Sequence, residues 1–387
     1  MSSAKETLLA SWEGVAAVDH HCHLLRRWPF TLTPVELRSA FTEAIDPAIA
    51  DEHVIHTAVY QDAIRRIAAE LGCEAKEEAV LALRNKTEAA LYARDLLQRT
   101  ATEMMLVDTG FSSAELLTLA EQEMALGIPQ HEIVRLETLA ETLVARPDSV
   151  ADWLHAVRLA LRNSMDRGAV GVKSICAYRA SLKVQVPDQN ELATAFDSLK
   201  RQASTGSAVR LSGNTLCHAL LLDAARECVQ LDLPLQVHCG FGDPDEDLAE
   251  TSPLGLRPLL VDPAYAGLRV ALLHCYPYHR EAAYLCSVFP NVYMDLSMTI
   301  PFAGLDGFRA MKEALGLCPT SKLLYATDAT RYPEVYFVAA RLHREALAEA
   351  LSELADRGMM SASNAESAGR QVLAENARHL YGLGAGG

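Results

Sequence analysis

Eight short apolar runs, each closing on a polar side chain, set the tightest limit on how this chain of 387 residues folds. They are VAAVDHH (15–21), MMLVDTG (104–110), EIVRLET (132–138), AVGVKSI (169–175), LPLQVHC (233–239), LRVALLHC (268–275), NVYMDLS (291–297) and KLLYATD (322–328). Helical periodicity fills the intervals between them, as in DWLHAVRLALRN at 152–163. Strand alternating with helix gives parallel strands joined by crossover helices, and eight such units close on themselves. The expected fold is α/β, a (β/α)8 TIM-like barrel. A doubly wound dinucleotide fold is disfavoured, because GFGD at 240–243 is not the GxGxxG phosphate loop.

One interval breaks the rhythm. Residues 22–103 separate the first run from the second, far more than one crossover helix needs. They carry the amphipathic stretches VELRSAFTEA, VYQDAIRRIAAELG and EAALYARDLLQRT. Residues 30–100 are therefore read as a helical insertion over the barrel mouth, either plain packing or a lid or homo-oligomer contact, within a single domain covering 1–387. The glycine-rich tail GLGAGG is expected to fray.

Charge narrows the partners. With 35 basic and 50 acidic residues the formal net charge is −15, which repels phosphate backbones and anionic membrane surfaces. No nucleic acid and no membrane partner is expected, and no apolar run reaches the roughly 18 residues of a membrane span. The start MSSAKETLLASWEGV lacks the basic-then-apolar layout of a secretory signal. Nine cysteines without a CxxC pair suit reduced thiols in the cytoplasm better than a disulfide framework. A small-molecule substrate fits this background.

The strongest local signal is Asp19-His20-His21-Cys22-His23. Side chains two apart on a strand share a face, so His21 and His23 converge while His20 points away. Imidazole suits zinc and related divalent ions. A lone HxH is equally well a solvated turn. The balance shifts because His238 ends the fifth run, His274 the sixth and Asp328 the eighth, and barrel sites assemble at the C-terminal ends of strands. Each of these alone reads as a core histidine or a capping aspartate; together they read as a ligand set. Lys173 ends the fourth run, where an unpaired buried charge is costly. It is open between a carbamylated metal bridge, an ion pair and a substrate contact. Tyr178 and Arg179 follow the fourth run and Arg331 follows the eighth; a guanidinium there clamps a substrate carboxylate, unless these are solvated surface arginines.

These residues resemble the amidohydrolase superfamily, specifically its amidohydrolase-2 group. The DxHxH start, Lys173, His238, His274 and Asp328 match the order that superfamily uses on strands one, four, five, six and eight. GVKSICAYR, PLQVHCGFGD, LLHCYPYHREAAYL, FPNVYMDLS and TDATRYPE, over residues 165–345, are similar to the N-terminal domain of fungal FluG and plant nodulin/glutamine-synthetase fusions. The resemblance implies one or two divalent metal ions, zinc foremost. In a two-ion site His21, His23 and Asp328 hold one, His238 and His274 the other, and a carbamylated Lys173 bridges. In a one-ion site His21, His23, His238 and Asp328 bind it, and His274 becomes an acid/base or a substrate contact. Asp328 and His274 are the catalytic candidates. The implied reaction is hydrolysis of a C–N amide bond by metal-activated water, with γ-glutamyl amides suggested by the fusion partners. A one-metal nonoxidative decarboxylase of a small acid and a catalytically silent binding barrel stand as the other readings.

Overall fold

The computed structural model describes residues 4–111, 113–206 and 208–384, so the last three residues of the glycine-rich tail lie outside it. Seven parallel strands follow the order of the chain: β1 (Ala17–Cys22), β2 (Thr102–Asp108), β3 (Gln130–Arg135), β4 (Gly171–Ser174), β5 (Leu235–Cys239), β6 (Val270–His274) and β7 (Val292–Met294). Every residue of β1, β4, β5, β6 and β7 is buried, the signature of parallel strands covered on both faces. Helices alternate with them, and the fold is α/β. Two compact units are distinguished: Met1–Val107 with Phe111–Gln130 and Asp295–Gly387, and Asp108–Gly110 with His131–Met294.

In the first unit β1 pairs with β2, Val18 opposite Met104 and Cys22 opposite Val107. The eighth strand expected over 322–328 does not form as a regular strand. Asp328 (φ 52°) and Arg331 (φ 62°) adopt left-handed backbone, which no pleated ladder accommodates. The segment still runs beside β1. His20 N–H donates to Tyr325 O at 3.2 Å, Asp328 N–H to His21 O at 2.9 Å and His23 N–H to Ala329 O at 2.9 Å.

Between β1 and β2 lie helices Pro34–Ser39, Ala58–Leu71, Glu77–Arg84 and Ala89–Gln98. Thr33 and Glu36 form a reciprocal capping box at the first, and Thr57 caps the second, which stops at left-handed Gly72. Arg38 donates to both oxygens of Glu77 at 2.7 Å, locking two of these helices together. The buried pair Arg84–Glu334, 3.1 Å apart, ties Glu77–Arg84 to the long helix Pro333–Asp356.

The second unit is built on β3 to β7. Val134 stands opposite Val172, Val172 opposite Leu235, Leu235 opposite Val270 and Val270 opposite Val292. Trp153 packs against Phe196 at 5.5 Å between ring centroids, and its indole N–H donates to Ala140 O. All nine cysteines are free thiols, eight of them buried. No helix among the described residues is long and apolar enough to cross a membrane.

Candidate metal centre and active-site residues

The end of β1 and the irregular segment beside it bring three donors together in the first unit. His21 Nε2 lies 3.0 Å and His23 Nε2 3.1 Å from Asp328 Oδ1. The two rings meet edge to face, 5.1 Å between centroids. One ligand atom from each of the three lies within 4.8 Å of the others. Two imidazoles and a carboxylate at this spacing suit a zinc-like divalent ion, so the donor set fits the metal that the sequence implies. The backbone fixes the geometry, because Asp328 N–H and His23 N–H are both committed to the β1 pairing just described. Left-handed backbone at Asp328 stores strain, a common mark of functional positions.

His20 turns the other way, as period-two alternation requires. Its Nε2 lies 2.8 Å from Asp295 Oδ2 and its Nδ1 3.0 Å from the Tyr381 hydroxyl. Asp19 is buried completely, and its carboxylate accepts from Thr327 N–H at 3.0 Å and Thr327 Oγ1 at 2.5 Å. Burial pushes the Asp19 carboxyl up to about 7, against the pull of those Thr327 bonds.

Asp328 also forms part of the wall of a cleft of about 550 Å³, with Arg26, Phe302, Arg331 and Tyr332 around it. Arg26 donates to Glu36 at 2.6 Å. Arg331 pairs with Glu115 at 3.8 Å, and both side chains are largely exposed. Such a pair contributes little and yields readily to a better anion.

The second unit gathers another set. His238 and His274 are buried and their rings stand 4.5 Å apart. Strand register alone would not bring them together. β5 and β6 align Cys239 with His274 and His238 with Leu273, which in a regular ladder sets the two histidines on opposite faces. Left-handed backbone at His274 (φ 65°) and Cys275 (φ 65°) breaks the alternation. Lys173 is buried in β4, aligned with Gln236 two residues before His238, and Arg135 is aligned with it from β3.

Tyr178 and Arg179 share the short helix Cys176–Arg179 but diverge. The Tyr178 ring lies 4.3 Å from that of His238. Its hydroxyl occupies the place a side chain would take at Gly242, 2.1 Å from where a Cβ would stand. Arg179 instead turns to Glu141, Nη2 to Oε1 3.7 Å, and its buried Nε and Nη1 make no hydrogen bond among the described residues.

Four buried polar side chains escaped the sequence reading. Asp108 and Arg135 form a buried ion pair, Arg135 Nη2 donating to Oδ2 at 2.6 Å. Glu137 accepts from Ser174 Oγ at 2.7 Å and Ile175 N–H at 3.0 Å, and burial holds its carboxyl above the usual range. Glu246 Oε1 lies 2.8 Å from His238 Nε2, with both side chains almost wholly enclosed. Glu246 sits in the acidic run DPDED, which reads as a solvated loop; nothing in the sequence singles it out.

A family model described as amidohydrolase matches residues 18–383. The FluG protein of Emericella nidulans is 34% identical over 228 residues, 56% of this chain, and the match spans about a quarter (26%) of that protein's length. A Lactobacillus casei protein assigned as a metal-dependent hydrolase superposes with a TM-score of 0.86 at 31% identity, covering 99% of this chain and 98% of that one. Uronate isomerase from Thermotoga maritima (TM-score 0.69, 14% identity, 98% and 97% covered) shares the fold alone.

Proposed function

This chain belongs to the amidohydrolase family, and from that premise we propose that it is a metal-dependent hydrolase cleaving the C–N amide bond of a small carboxylate-bearing substrate. The observation that carries the reading is the convergence of His21 Nε2, His23 Nε2 and Asp328 on one point. Those three would hold a divalent ion, with zinc the best match to the donors. His238 and His274, with a carbamylated Lys173, would serve a second. When bound, the ion supplies Lewis acidity to the carbonyl and lowers the pKa of water. The fold we propose is the full eight-unit barrel with residues 30–100 as its helical insertion. Nine free thiols favour a reducing, cytoplasmic setting.

The chain's own groups divide the remaining work. Asp328 accepts the proton of the attacking water and returns it to the leaving nitrogen. His274 is the second acid/base candidate. A substrate carboxylate is anchored by a guanidinium, and Arg331 comes first because it lines the same cleft as Asp328. Arg179 comes second, since Nη2 is turned toward Glu141 while Nε and Nη1 remain uncommitted. Tyr178 packs at a tilt against His238 as a wall for the substrate. The resemblance to proteins fused with glutamine-synthetase-like domains makes γ-glutamyl amides the first substrates to test.

The deciding experiment measures bound metal in the purified protein and its turnover of a γ-glutamyl amide panel. We expect one or two equivalents of divalent ion, loss of metal in His21→Ala and ammonia or amine release from at least one amide. Full activity after exhaustive chelation, or carbon dioxide release from simple acids with no amide cleavage, would overturn the reading.

A further inference from the structure

We propose that Glu246 is a ligand for the cation held by His238, so that the loop after β5 supplies a carboxylate to a second metal site. The proposal rests on the hydrolase reading above, in which His238 binds metal. Its basis is spacing. Glu246 Oε1 lies 2.8 Å from His238 Nε2. Within the first cluster, the nitrogen-to-oxygen distances from His21 and His23 to Asp328 are 3.0 and 3.1 Å. Two such atoms about 3 Å apart can both stand ~2.0–2.2 Å from one ion at nearly a right angle, closer together than the ~3.3–3.6 Å of a tetrahedral pair. Both side chains are enclosed, at 2% and 3% exposure, so neither is a solvated surface group that drifts into range.

The surrounding loop is built to present this one carboxylate. Its other acids are turned to local tasks. Asp243 Oδ1 accepts from Asp245 N–H at 2.9 Å, Asp245 pairs with Arg210, and Asp247 Oδ1 caps Ala249 N–H at 3.1 Å. Glu246 N–H donates to Asp243 O at 3.2 Å, which fixes the turn that aims its side chain inward. Both ends of the loop are tied down. Phe241 N–H donates to Tyr276 O at 2.8 Å and Gly240 N–H to Thr251 O at 3.1 Å. The Tyr278 hydroxyl donates to Leu248 O at 2.8 Å. Beyond them Glu250 accepts from Ser181 Oγ and Lys183 Nζ, both at 2.6 Å. A carboxylate held this firmly against an imidazole brings negative charge to a hard cation at small entropic cost, and acetate-like oxygen is a ligand that zinc, manganese and cobalt all accept.

The test uses the full chain and four proteins: wild type, Glu246→Gln, Glu246→Asp and His21→Ala. Each is loaded with Zn²⁺ or Co²⁺, then challenged with graded chelator, and bound metal is counted by mass spectrometry. Glu246→Gln keeps the size of the side chain and removes its charge; thermal melting and circular dichroism check that it folds. We expect Glu246→Gln to lose the ion on His238 at chelator concentrations at least about 100-fold lower than wild type, since even outer-sphere partners are worth ~10–100-fold. The Co²⁺ visible absorption of that ion should change in intensity, and Glu246→Asp should recover part of both effects. If His21→Ala loses metal while Glu246→Gln matches wild type in metal count, chelator resistance and spectrum, the ligand proposal falls and the hydrolase reading stands. If Glu246→Gln alters kcat but neither metal retention nor spectrum, Glu246 merely orients His238 and the proposal again falls. If wild type and all variants hold no metal, both fall together.

Discussion

Asp19 at the heart of β1 grips Thr327, 308 positions later in the chain, through both carboxylate oxygens: the Thr327 N–H donates at 3.0 Å and its hydroxyl at 2.5 Å. Thr327 immediately precedes Asp328, so these two hydrogen bonds set where the proposed ligand stands relative to His21 and His23. Partners of this kind orient ligands without touching the ion. Asp19→Ala should therefore lower metal affinity by roughly 10–100-fold while leaving the helical content unchanged. Competition against a fluorescent zinc chelator measures it. Wild-type affinity in Asp19→Ala would show that the backbone bonds to β1 suffice on their own.

Arg331 stands in left-handed backbone on the wall of the cleft that Asp328 shares. Its ion pair with Glu115 is long and exposed, so its charge remains available to an incoming anion. Arg331 is about half exposed, so removing such a contact costs about 1 kcal/mol, or roughly fivefold in kcat/KM. Arg331→Met should impose that loss on a substrate with a free carboxylate and spare the same substrate with the carboxylate amidated. An equal loss on both assigns Arg331 a structural role and sends the search to Arg179.

The contrast between these residues explains what the sequence can reveal. His21 and His23 were legible because a strand has period two, and His20 was assigned to the other face by the same rule. His238, His274 and Asp328 stand out because each closes an apolar run; His238 lies in β5 and His274 ends β6. The pairing of the His238 and His274 rings was not legible, since it depends on left-handed backbone at His274 and Cys275 that breaks the alternation of faces at the end of β6 while its register with β5 stays regular. The same physics hid the irregularity of 322–328: KLLYATD has the composition of a strand, but Lys322 belongs to a 3-10 turn at one end and Asp328 is left-handed at the other. Glu246 was invisible because a loop chooses which of four neighbouring acids turns inward through hydrogen bonds that have no sequence period.

Gly242 and Tyr178 form a lock whose logic is steric. A methyl group at 242 would stand 2.1 Å from the Tyr178 hydroxyl and 2.6 Å from its Cζ, so the ring must leave its place beside His238. Overpacking of this kind costs about 1–3 kcal/mol. Gly242→Ala should show that loss in chemical denaturation, and Gly242→Ala in a Tyr178→Ala background should show almost none of it. Simple additivity of the two substitutions would mean that the loop bends away instead and that Tyr178 keeps its position.

His343 offers a prediction about acid stability. It is fully enclosed, its ring edge-on to Tyr325 at 4.9 Å, and neither nitrogen makes a hydrogen bond among the described residues. Burial pushes the imidazole down to about 4, outweighing the attraction of Asp295. The folded protein therefore refuses a proton that the unfolded chain accepts below about pH 6.5. Above that pH both states are neutral here and the full stability is present; as pH falls toward 4 the unfolded state gains protons alone and stability declines. A depression of this size corresponds to about 3 kcal/mol across the window. His343→Phe conserves the ring, leaves no buried nitrogen unsatisfied and cannot titrate. Urea unfolding of both proteins at pH 7.5 and pH 4.5 should show similar stability at the higher pH and a smaller loss in the variant at the lower one. Equal losses in the two proteins would show that His343 takes up its proton in the folded state as readily as in the unfolded chain, and that the acid sensitivity arises elsewhere.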